Sequence, residues 1–545
     1  MKTRFFMAAL AALAIVGCNK ELGNTELPEV NSESAVLKVN VKAAGTMTKA
    51  ATGTFEYGED AENAVSTVDF YFFDAAGAAY QVATTGTNQI TWTKQNPVEN
   101  VAAISDVVLV IKKSQRALPT HVVAVLNSTE NYQGKSLSEL ATEVSDVLSN
   151  DNGFVMSNSV YVDANGAKIV ATEILPENIF ATSDDLGAEG SVVTDANIEK
   201  YEITPVDIYV ERVAAKVRVN LPEDQRIPVK DENGVQMKDA NNNDVYAEVL
   251  GWNITNCTDE AYLLKNVDPT WTDKTVGGFT WNNPAFFRSY WAKTTAAPTH
   301  PYSYDDLLDH MPEAGYDYYY ENTLPVGNGF NAVGSPAGSN QTPQLLVAAK
   351  LVDKDGDAIS LAKWYNVLYT VADLKTAMVN KLAAKLYVQR DENTYTSVAV
   401  VHDDSDDNDD VVFEQVSAEE EEHRYEVKVL PKDGVTYYTV NGEDVTPITG
   451  ADLAAVFADL DPAMMWEEGM TYYHTNINHF GDATGIVRNH VYDITVNGVM
   501  GFGTPVYNPG LVITPEDPDE QPAANLAARI NILSWHVVSN EITLQ

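Results

Sequence analysis

Short segments in which apolar and polar residues alternate constrain the fold of this 545-residue chain more than any other feature. In the clearest of them, Leu37, Val39, Val41 and Ala43 are separated by Lys38, Asn40 and Lys42. A two-residue period is typical of a β-strand that buries one face. Runs of β-branched and aromatic residues predict further strands at Val68–Phe73, Val107–Ile111, Val122–Leu126 and Ile208–Val219.

Only three segments have the apolar spacing of a helix. They contain Leu137, Leu140, Val144, Val147 and Leu148 behind a candidate N-cap at Ser136; Leu374, Met378 and Leu382; and Leu453, Val456, Phe457 and Leu460. Many short strands with few helices predict an all-β fold built of sandwiches. A change of composition at Leu221–Asp244 is the candidate boundary between two such domains.

The charge of the chain excludes two classes of partner. With 35 basic and 78 acidic residues, the formal net charge is −43. Such a surface repels phosphate backbones and anionic lipids, so the composition argues against nucleic-acid binding and electrostatic membrane docking. Apolar residues at 45% and charged residues at 21% are globular values.

The amino terminus has the layout of a secretion signal. Lys2 and Arg4 precede the apolar run Phe5–Val16, which is too short to span a bilayer. Gly17 and Cys18 follow it, as in the lipobox of bacterial lipoproteins. We therefore predict a signal peptide at 1–17 and a lipid on Cys18, with an ordinary signal peptide as the alternative. Cys257 is the other cysteine of the chain, and we expect it to be a buried, unreactive side chain.

Two segments that flank the predicted domains are unusual. After the first strand, residues 44–53 are small and uncharged apart from Lys49, which is typical of a loop that proteases cut. Near the carboxy terminus, a spacer at 509–527 combines prolines with acidic residues. Residues 528–545 then form an apolar strand that either folds back on its own sandwich or fills another molecule's.

No motif of a nucleotide-binding loop, zinc protease or serine hydrolase occurs in the chain, and we predict no enzymatic activity and no cofactor. The acidic block Asp403–Asp410 partly matches the spacing of an EF-hand loop that ends at Glu414, but a solvated loop fits its flanks better. His474 and His479 are not spaced as helical metal ligands, and no metal site is predicted. A tyrosine-rich segment is either loop packing or a glycan-stacking surface; its members are Tyr302, Tyr304, Tyr316, Tyr318, Tyr319 and Tyr320.

Taken together, these features resemble the shaft subunit of the minor fimbrium, in the type V pilin (fimbrillin lipoprotein) family of Bacteroidia. The order of the segments carries the resemblance: the lipobox, the first strand, the loop, and an apolar strand behind a proline-rich spacer. Local sequences agree at Glu211–Val217, Leu250–Trp252, Arg488–Ile494 and Ile530–Val538.

The resemblance implies two tandem transthyretin-like β-sandwich domains, here at 50–220 and 221–508. It also implies a propeptide at 18–49, whose strand (Leu37, Val39, Val41, Ala43) is removed by a trypsin-like surface protease. The vacated groove then accepts the terminal strand of the next subunit, here with Ile530, Ile532, Leu533, Trp535 and Val537. Family members are cut after arginine, whereas this loop offers Lys49 before Ala50, which leaves the protease open.

Expected partners are further copies of the chain, accessory pilus subunits, the protease and an adhesion receptor. The expected location is a surface fimbrium, reached by way of an outer-membrane lipoprotein precursor. Two alternatives stay open on the sequence: a monomeric lipoprotein that binds glycans, and the membrane anchor subunit of the same pilus.

Overall fold

The computed structural model describes residues 34–43, 58–80, 93–94, 103–112, 118–162, 168–182, 203–266, 275–276, 279–280, 295, 301–312, 315–322, 343–399, 409–417, 425–477, 479, 485–506, 508–513, 525–533 and 538–539. None of the helices in this part of the chain has both the length and the apolar character needed to span a bilayer.

The first half of the chain is built from strands and two short helical turns. The strands are β1 (Ser34–Ala43), β2 (Val68–Phe73), β3 (Ala79–Tyr80), β4 (Thr93–Lys94), β5 (Ala103–Lys112), β6 (His121–Leu126), β7 (Val144–Ser145), β8 (Ser149–Asn150), β9 (Gly153–Phe154), β10 (Met156–Asn158), β11 (Tyr161–Val162), β12 (Lys168–Ile169), β13 (Thr172–Glu173), β14 (Ile179–Thr182) and β15 (Val206–Arg212). The helical turns are α1 (Leu137–Leu140) and a 3₁₀ turn at Pro176–Asn178.

The amino-terminal sheet has the order β3-β2-β6-β10-β15-β1-β5-β4, with β13 on β6 and β14 on β1. Buried side chains from β1, β2, β5, β6 and β15 belong to one core, so the sheet folds over and packs on itself as in a sandwich. Among them are Leu37, Phe70, Leu109, Ala124 and Ile208.

The second half contains the remaining strands and helices. The strands are β16 (Ala214–Asn220), β17 (Arg226–Lys230), β18 (Tyr246–Thr255), β19 (Ala261–Tyr262), β20 (Thr275–Val276), β21 (Phe279–Thr280), β22 (Tyr316–Tyr320), β23 (Gln344–Val352), β24 (Leu361–Trp364), β25 (Val367–Tyr369), β26 (Tyr387–Asp391), β27 (Thr394–Ser397), β28 (Val411–Ser417), β29 (Tyr425–Pro431), β30 (Tyr437–Asn441), β31 (Asp444–Ile448), β32 (Ala463–Trp466), β33 (Met470–Asn476), β34 (Val491–Met500), β35 (Thr504–Pro505), β36 (Asn525–Leu533) and β37 (Val538–Ser539). The helices are α2 (Tyr304–Leu308), α3 (Val371–Ala383), α4 (Gly450–Ala458) and a 3₁₀ turn at Glu467–Gly469.

The carboxy-terminal sheet has the order β22-β16-β34-β17-β18-β23-β33-β35, and β36 pairs with β34. Side chains from β16, β18, β23, β33 and β34 meet in its core, including Trp252, Val347, Tyr473 and Tyr492. The all-β prediction is confirmed, and both halves have the sandwich packing that the sequence indicated.

The strand predicted at Ile208–Val219 is two strands. Val213 separates β15 from β16, and the two belong to different sheets. The chain therefore passes from one sheet to the other at Val213, not within Leu221–Asp244, where β17 already belongs to the second sheet. The apolar run continues across the crossing because both strands are buried, so the hydrophobic pattern gives no sign of the change.

The part of the chain between β23 and β33, which the sequence analysis assigned to one sandwich, has a hydrophobic core of its own. The described strands within residues 361–466 form a five-stranded sheet (β25-β24-β32-β29-β28) and a four-stranded sheet (β27-β26-β30-β31). Both pack with α3 and α4 around buried side chains such as Met378, Val427 and Phe457. We call residues 361–466 the inserted module, because β23 and β33 on either side of it pair with each other.

The helix predictions are confirmed for α3 and α4 and wrong in part for α1. Ser136 caps α1 with a reciprocal Glu139 bond, as its sequence suggests, but the helix ends at Leu140. Val144 belongs instead to β7, which pairs with β19 of the second half of the chain. Tertiary pairing therefore overrides the helical spacing beyond the first turn.

Candidate strand-exchange site

The first strand, β1, lies inside the amino-terminal sheet with neighbours on both sides. Its ten residues pair antiparallel with β5, from Ser34 opposite Lys112 to Ala43 opposite Ala103. On the other side, the first part of β1 pairs antiparallel with β14 and the second part pairs parallel with β15. An amino-terminal segment that could have lain at an edge is thus an interior strand.

The alternation of β1 matches its environment. Leu37, Val39 and Val41 have no exposed surface, and Lys38 between them is partly exposed. Burying a valine or leucine side chain is worth about 1.5–3 kcal/mol each, so the three together hold the strand strongly. Removal of β1 would leave a groove with two sets of unpaired backbone groups and an apolar floor.

The walls of this groove come from distant parts of the chain. Val206, Ile208 and Val210 of β15 are buried beside β1, and Leu109 of β5 is buried on the opposite side. Phe70 of β2 belongs to the same core and contributes to the floor. Sequence reasoning identified the strand but not its walls, because pairing between distant segments leaves no local pattern.

The predicted processing residues Cys18, Lys49 and Ala50 lie outside the described residues. Ala43, the last residue of the predicted removable strand, closes β1 opposite Ala103 and Val210. The described chain resumes at Gly58, after the loop that contains Lys49.

Directly after that loop, residues 58–64 reach the junction of the two sheets. Glu62 and Lys216 are both 2% exposed, and Glu62 Oε1 lies 2.8 Å from Lys216 Nζ. The Tyr318 hydroxyl also donates to Glu62, and Arg212 Nε donates to the Glu62 carbonyl over 2.9 Å. Burial raises the pKa of Glu62, but the bonds from Lys216 and Tyr318 and the charge of Lys216 outweigh it, so the net pKa lies below its usual value.

Two further buried ion pairs surround the same junction. Glu211 lies 3.1 Å from Lys265, and Glu321 pairs with Arg488. All four side chains are at most 2% exposed. Sequence reasoning missed this cluster, since lone charges in apolar strands are visible in the sequence but their partners are not.

The tyrosine-rich segment takes part in packing. Tyr304 and Tyr319 are buried and donate to Ala349 and Asn253 over 2.8 Å each. The hydroxyls of Tyr316 and Tyr318 donate to Glu59 and Glu62 at the junction. These contacts favour the loop-packing interpretation over a glycan-stacking surface.

The acidic block is described only at its end. Asp409 and Asp410 are buried, and Asp410 accepts the Ala399 N–H over 2.8 Å and pairs with Arg390, so this end is not solvated. Residues 403–408 lie outside the described ranges, and Glu414 is exposed on β28. Where the structure describes the chain, no group of three or more His, Cys, Asp or Glu side chains could hold a metal ion.

Of the other sequence candidates, His479 and Cys257 are buried and His474 is half-buried. Burial lowers the pKa of His474 to about 4, and His479 is 2.8 Å from the Tyr492 hydroxyl. Cys257 is buried, as predicted, and burial raises the pKa of its thiol.

The carboxy-terminal strand lies on its own domain in this structure. Over its nine residues, β36 pairs antiparallel with β34, with Ile530 opposite Ile494 and Leu533 opposite Val491. Ile532 pairs with Tyr492, and on its other side β36 pairs antiparallel with β37. Of the two alternatives left open for the terminal strand, residues 525–533 adopt the first and lie on their own domain in this structure. Trp535 and Val537 lie outside the described residues.

A family model matches this part of the chain. Residues 464–541 match the carboxy-terminal region of the type IV major fimbrial subunit protein, fimbrillin. We call these residues the fimbrillin region because of this similarity. The match confirms the resemblance to fimbrial subunits, a family that is structural and not enzymatic.

The fimbrillin region contains β33, β34, β36 and β37, and so includes the pairing of the terminal strand with β34. No curated protein matches the chain in sequence.

Among solved structures, a protein from Parabacteroides distasonis ATCC 8503 assigned to cell adhesion is 13% identical, with 95% of this chain and 100% of that chain covered and a TM-score of 0.36. A fimbrilin from Porphyromonas gingivalis W83 is also 13% identical, with 92% and 98% covered and a TM-score of 0.32. The tip fimbrial protein Mfa3 from Porphyromonas gingivalis, with a carboxy-terminal truncation, is 11% identical, with 92% and 100% covered and a TM-score of 0.29. At these scores the likeness adds nothing to the argument from the fimbrillin region.

Proposed function

We propose that the chain is a structural pilin that polymerises into a cell-surface fimbrium by protease-triggered donor-strand exchange and supports adhesion. It is made as an outer-membrane lipoprotein with its lipid on Cys18, and it assembles with copies of itself and with accessory pilus subunits. A trypsin-like surface protease cuts between Lys49 and Ala50. The chain needs no cofactor for this role.

The single observation that carries the proposal is the interior position of β1. When a strand with pairing partners on both sides is removed, the backbone groups of both neighbouring strands lose their partners. Here the predicted cleavable loop follows β1, so a cut in that loop leaves the strand held by non-covalent contacts alone. A strand of another molecule can then restore both the ladders and the apolar contacts.

The terminal segment has the pattern that the groove requires. Leu533, Trp535 and Val537 repeat the two-residue spacing of Leu37, Val39 and Val41. Since Trp535 is larger than Val39, the groove must widen to accept it, and the added buried surface makes Trp535 the anchor of the contact.

The pairing of the terminal strand with β34 of its own domain is compatible with a subunit that has not yet assembled. For donation, the strand must exchange its antiparallel partner β34 for the groove of a neighbour. The resulting contact is head-to-tail between unlike surfaces, so it builds an open filament.

The mass of subunits sheared from the cell surface tests the proposal. A shaft subunit is expected to begin at Ala50, and its fibres are expected to form ladders on gels without heating. A lipidated Cys18 on the surface protein would instead indicate the anchor subunit or the glycan-binding lipoprotein. Truncation before Ala528 is the companion test, since it should leave a secreted monomer that cannot extend a fibre.

A further inference from the structure

The segment that follows the predicted cut is fastened to the other domain, although it lies in sequence beside the removable strand. The bonds that residues 58–63 make at the junction have their partners on β15, β16 and β22. Lys216 and Tyr318, which bind the Glu62 carboxylate, both belong to the carboxy-terminal sheet.

The contacts of this segment are dense, and Glu62 at their centre is buried although Glu59 is exposed. Lys216 Nζ lies 3.6 Å from the centroid of the Tyr316 ring, and the Tyr316 hydroxyl donates to Glu59 over 3.1 Å. Glu62 Oε2 also accepts the Glu59 N–H over 2.7 Å, which closes the turn that presents Glu62 to Lys216.

Arg212 connects the same turn to a second element of the carboxy-terminal domain. This residue is 1% exposed, and its guanidinium donates to the Glu62 carbonyl, to Asn63 and, over 3.0 Å, to Asn489. Arg212 is the last residue of β15, whose earlier residues Val206–Val210 are the parallel partner of β1. The strand that loses a partner when β1 leaves therefore runs directly into these contacts.

Behind the turn, the chain is fixed again within its own domain. Asn127 donates to the Ala64 carbonyl and accepts the Ser66 N–H, each over 2.9 Å. Residues 58–63 are thus held by the junction, and residues 64–67 by Asn127.

We infer that residues 58–63 are an interdomain clamp, which keeps the new amino-terminal segment and the end of β15 bound to the carboxy-terminal domain when β1 leaves. Because the contacts of the clamp persist, the junction keeps its geometry when the groove opens. The acceptor site is then ready for a strand. This role in assembly rests on the proposed function, but the contacts of the clamp do not.

Hydrogen exchange of the full chain, read by mass spectrometry over a peptide covering residues 58–66, tests the clamp before and after trypsin treatment. In the unsubstituted protein, we expect the protection of this peptide to survive both cleavage at Lys49 and loss of β1. In Lys216→Met, exchange of residues 59–63 should rise at least tenfold, while β2 stays protected. Glu62→Gln, which keeps the shape of the side chain, should give a smaller rise.

Lys238→Met is the matched control, because its ion pair with Asp244 has the same 2.8 Å distance but is about half exposed and lies away from the junction. It should leave the exchange of the peptide unchanged.

If Lys216→Met unfolds the chain, two other variants take its place. They are Glu62→Gln and the combined Glu62→Gln, Lys216→Met variant, in which neither charge of this pair is left without its partner. Equal exchange in the clamp variants and the control, or loss of protection on trimming of the unsubstituted protein, would overturn the inference. If trypsin fails to release β1, the proposed function fails, whereas the uncut variants still test the clamp.

Discussion

At the scale of single residues, the buried charges near Val213 carry a desolvation cost and restrict how their partners can be arranged. Taking Glu62 and Lys216 out of water is unfavourable, and only their mutual contact and the bonds from neighbours offset it. Such a pair adds less stability than an apolar pair of the same size, but it is favourable in only one arrangement of its partners. We therefore expect the junction to be sensitive to charge rather than to volume.

The pH dependence of Glu62 follows from the direction of its shift. Because its pKa is lower in the folded protein, its contribution to stability is present above the usual glutamate pKa of about 4.3 and is lost as the pH falls through the lower folded value. Glu62→Gln should reduce the loss of stability on acidification below about pH 4. Urea unfolding at a series of pH values measures the free energy of unfolding of both proteins. An equal dependence of that free energy on pH in the two proteins would contradict the prediction.

Lys49 is the residue on which the trigger depends. Lys49→Gln should leave a monomer with β1 in its own groove, because a strand attached to the same chain is at a far higher effective concentration than any donor. Lys49→Arg keeps a basic residue and should assemble normally. Surface fibres from both strains, compared by electron microscopy, provide the measurement; fibres of Lys49→Gln would show that release at this residue is not the trigger.

At the scale of elements, local patterns predicted the strands well and their neighbours poorly. The alternation at Leu37–Ala43 was enough to predict β1, because one face of that strand is buried. The break at Val213 left no trace, since β15 and β16 are buried on both faces. The same limit applies to β36, whose apolar faces fitted either of two partners until its register with β34 was seen.

A disulfide between β34 and β36 tests whether the terminal strand must leave its own domain. Thr495 and Arg529 are direct partners across the pair, and cross-strand partners lie within the Cα distance that a disulfide spans. Thr495→Cys with Arg529→Cys should block fibre growth of trimmed subunits under oxidising conditions, and reduction should restore it.

A matched control places the same bond in the inserted module. Thr439 and Thr446 are partners of β30 and β31, far in sequence from the terminal strand. Thr439→Cys with Thr446→Cys should assemble equally well when oxidised or reduced. Growth of the oxidised β34–β36 variant at the control rate would mean that donation does not require β36 to leave β34.

At the scale of the whole molecule, the inserted module adds a core of its own to the two domains that the sequence predicted. The inserted module has its own core, and it joins the carboxy-terminal domain through the paired strands β24 and β32. Leu361 and Trp466, which face each other across that pair, belong to the core of the carboxy-terminal domain. Length alone did not reveal the module, since a large sandwich of the same size is equally common.

The module should therefore be removable. Replacing residues 362–465 by Asn-Gly joins Leu361 to Trp466 through a two-residue turn that suits antiparallel strands. We expect a folded protein that keeps β1, the junction and fibre formation, and loses the heat of unfolding of the module's own core. Calorimetry with mass spectrometry of trimmed subunits checks this; a variant without a cooperative transition would contradict it.

The way the chain enters and leaves residues 361–466 also has a consequence for what a fibre can carry. Because the two crossings lie side by side on neighbouring strands, any compact sequence whose own ends are close together fits the same opening. A foreign antigen or an enzyme placed there would be repeated once per subunit along the polymer. The geometry thus makes this position a site for display, at which the cargo changes while the scaffold stays the same.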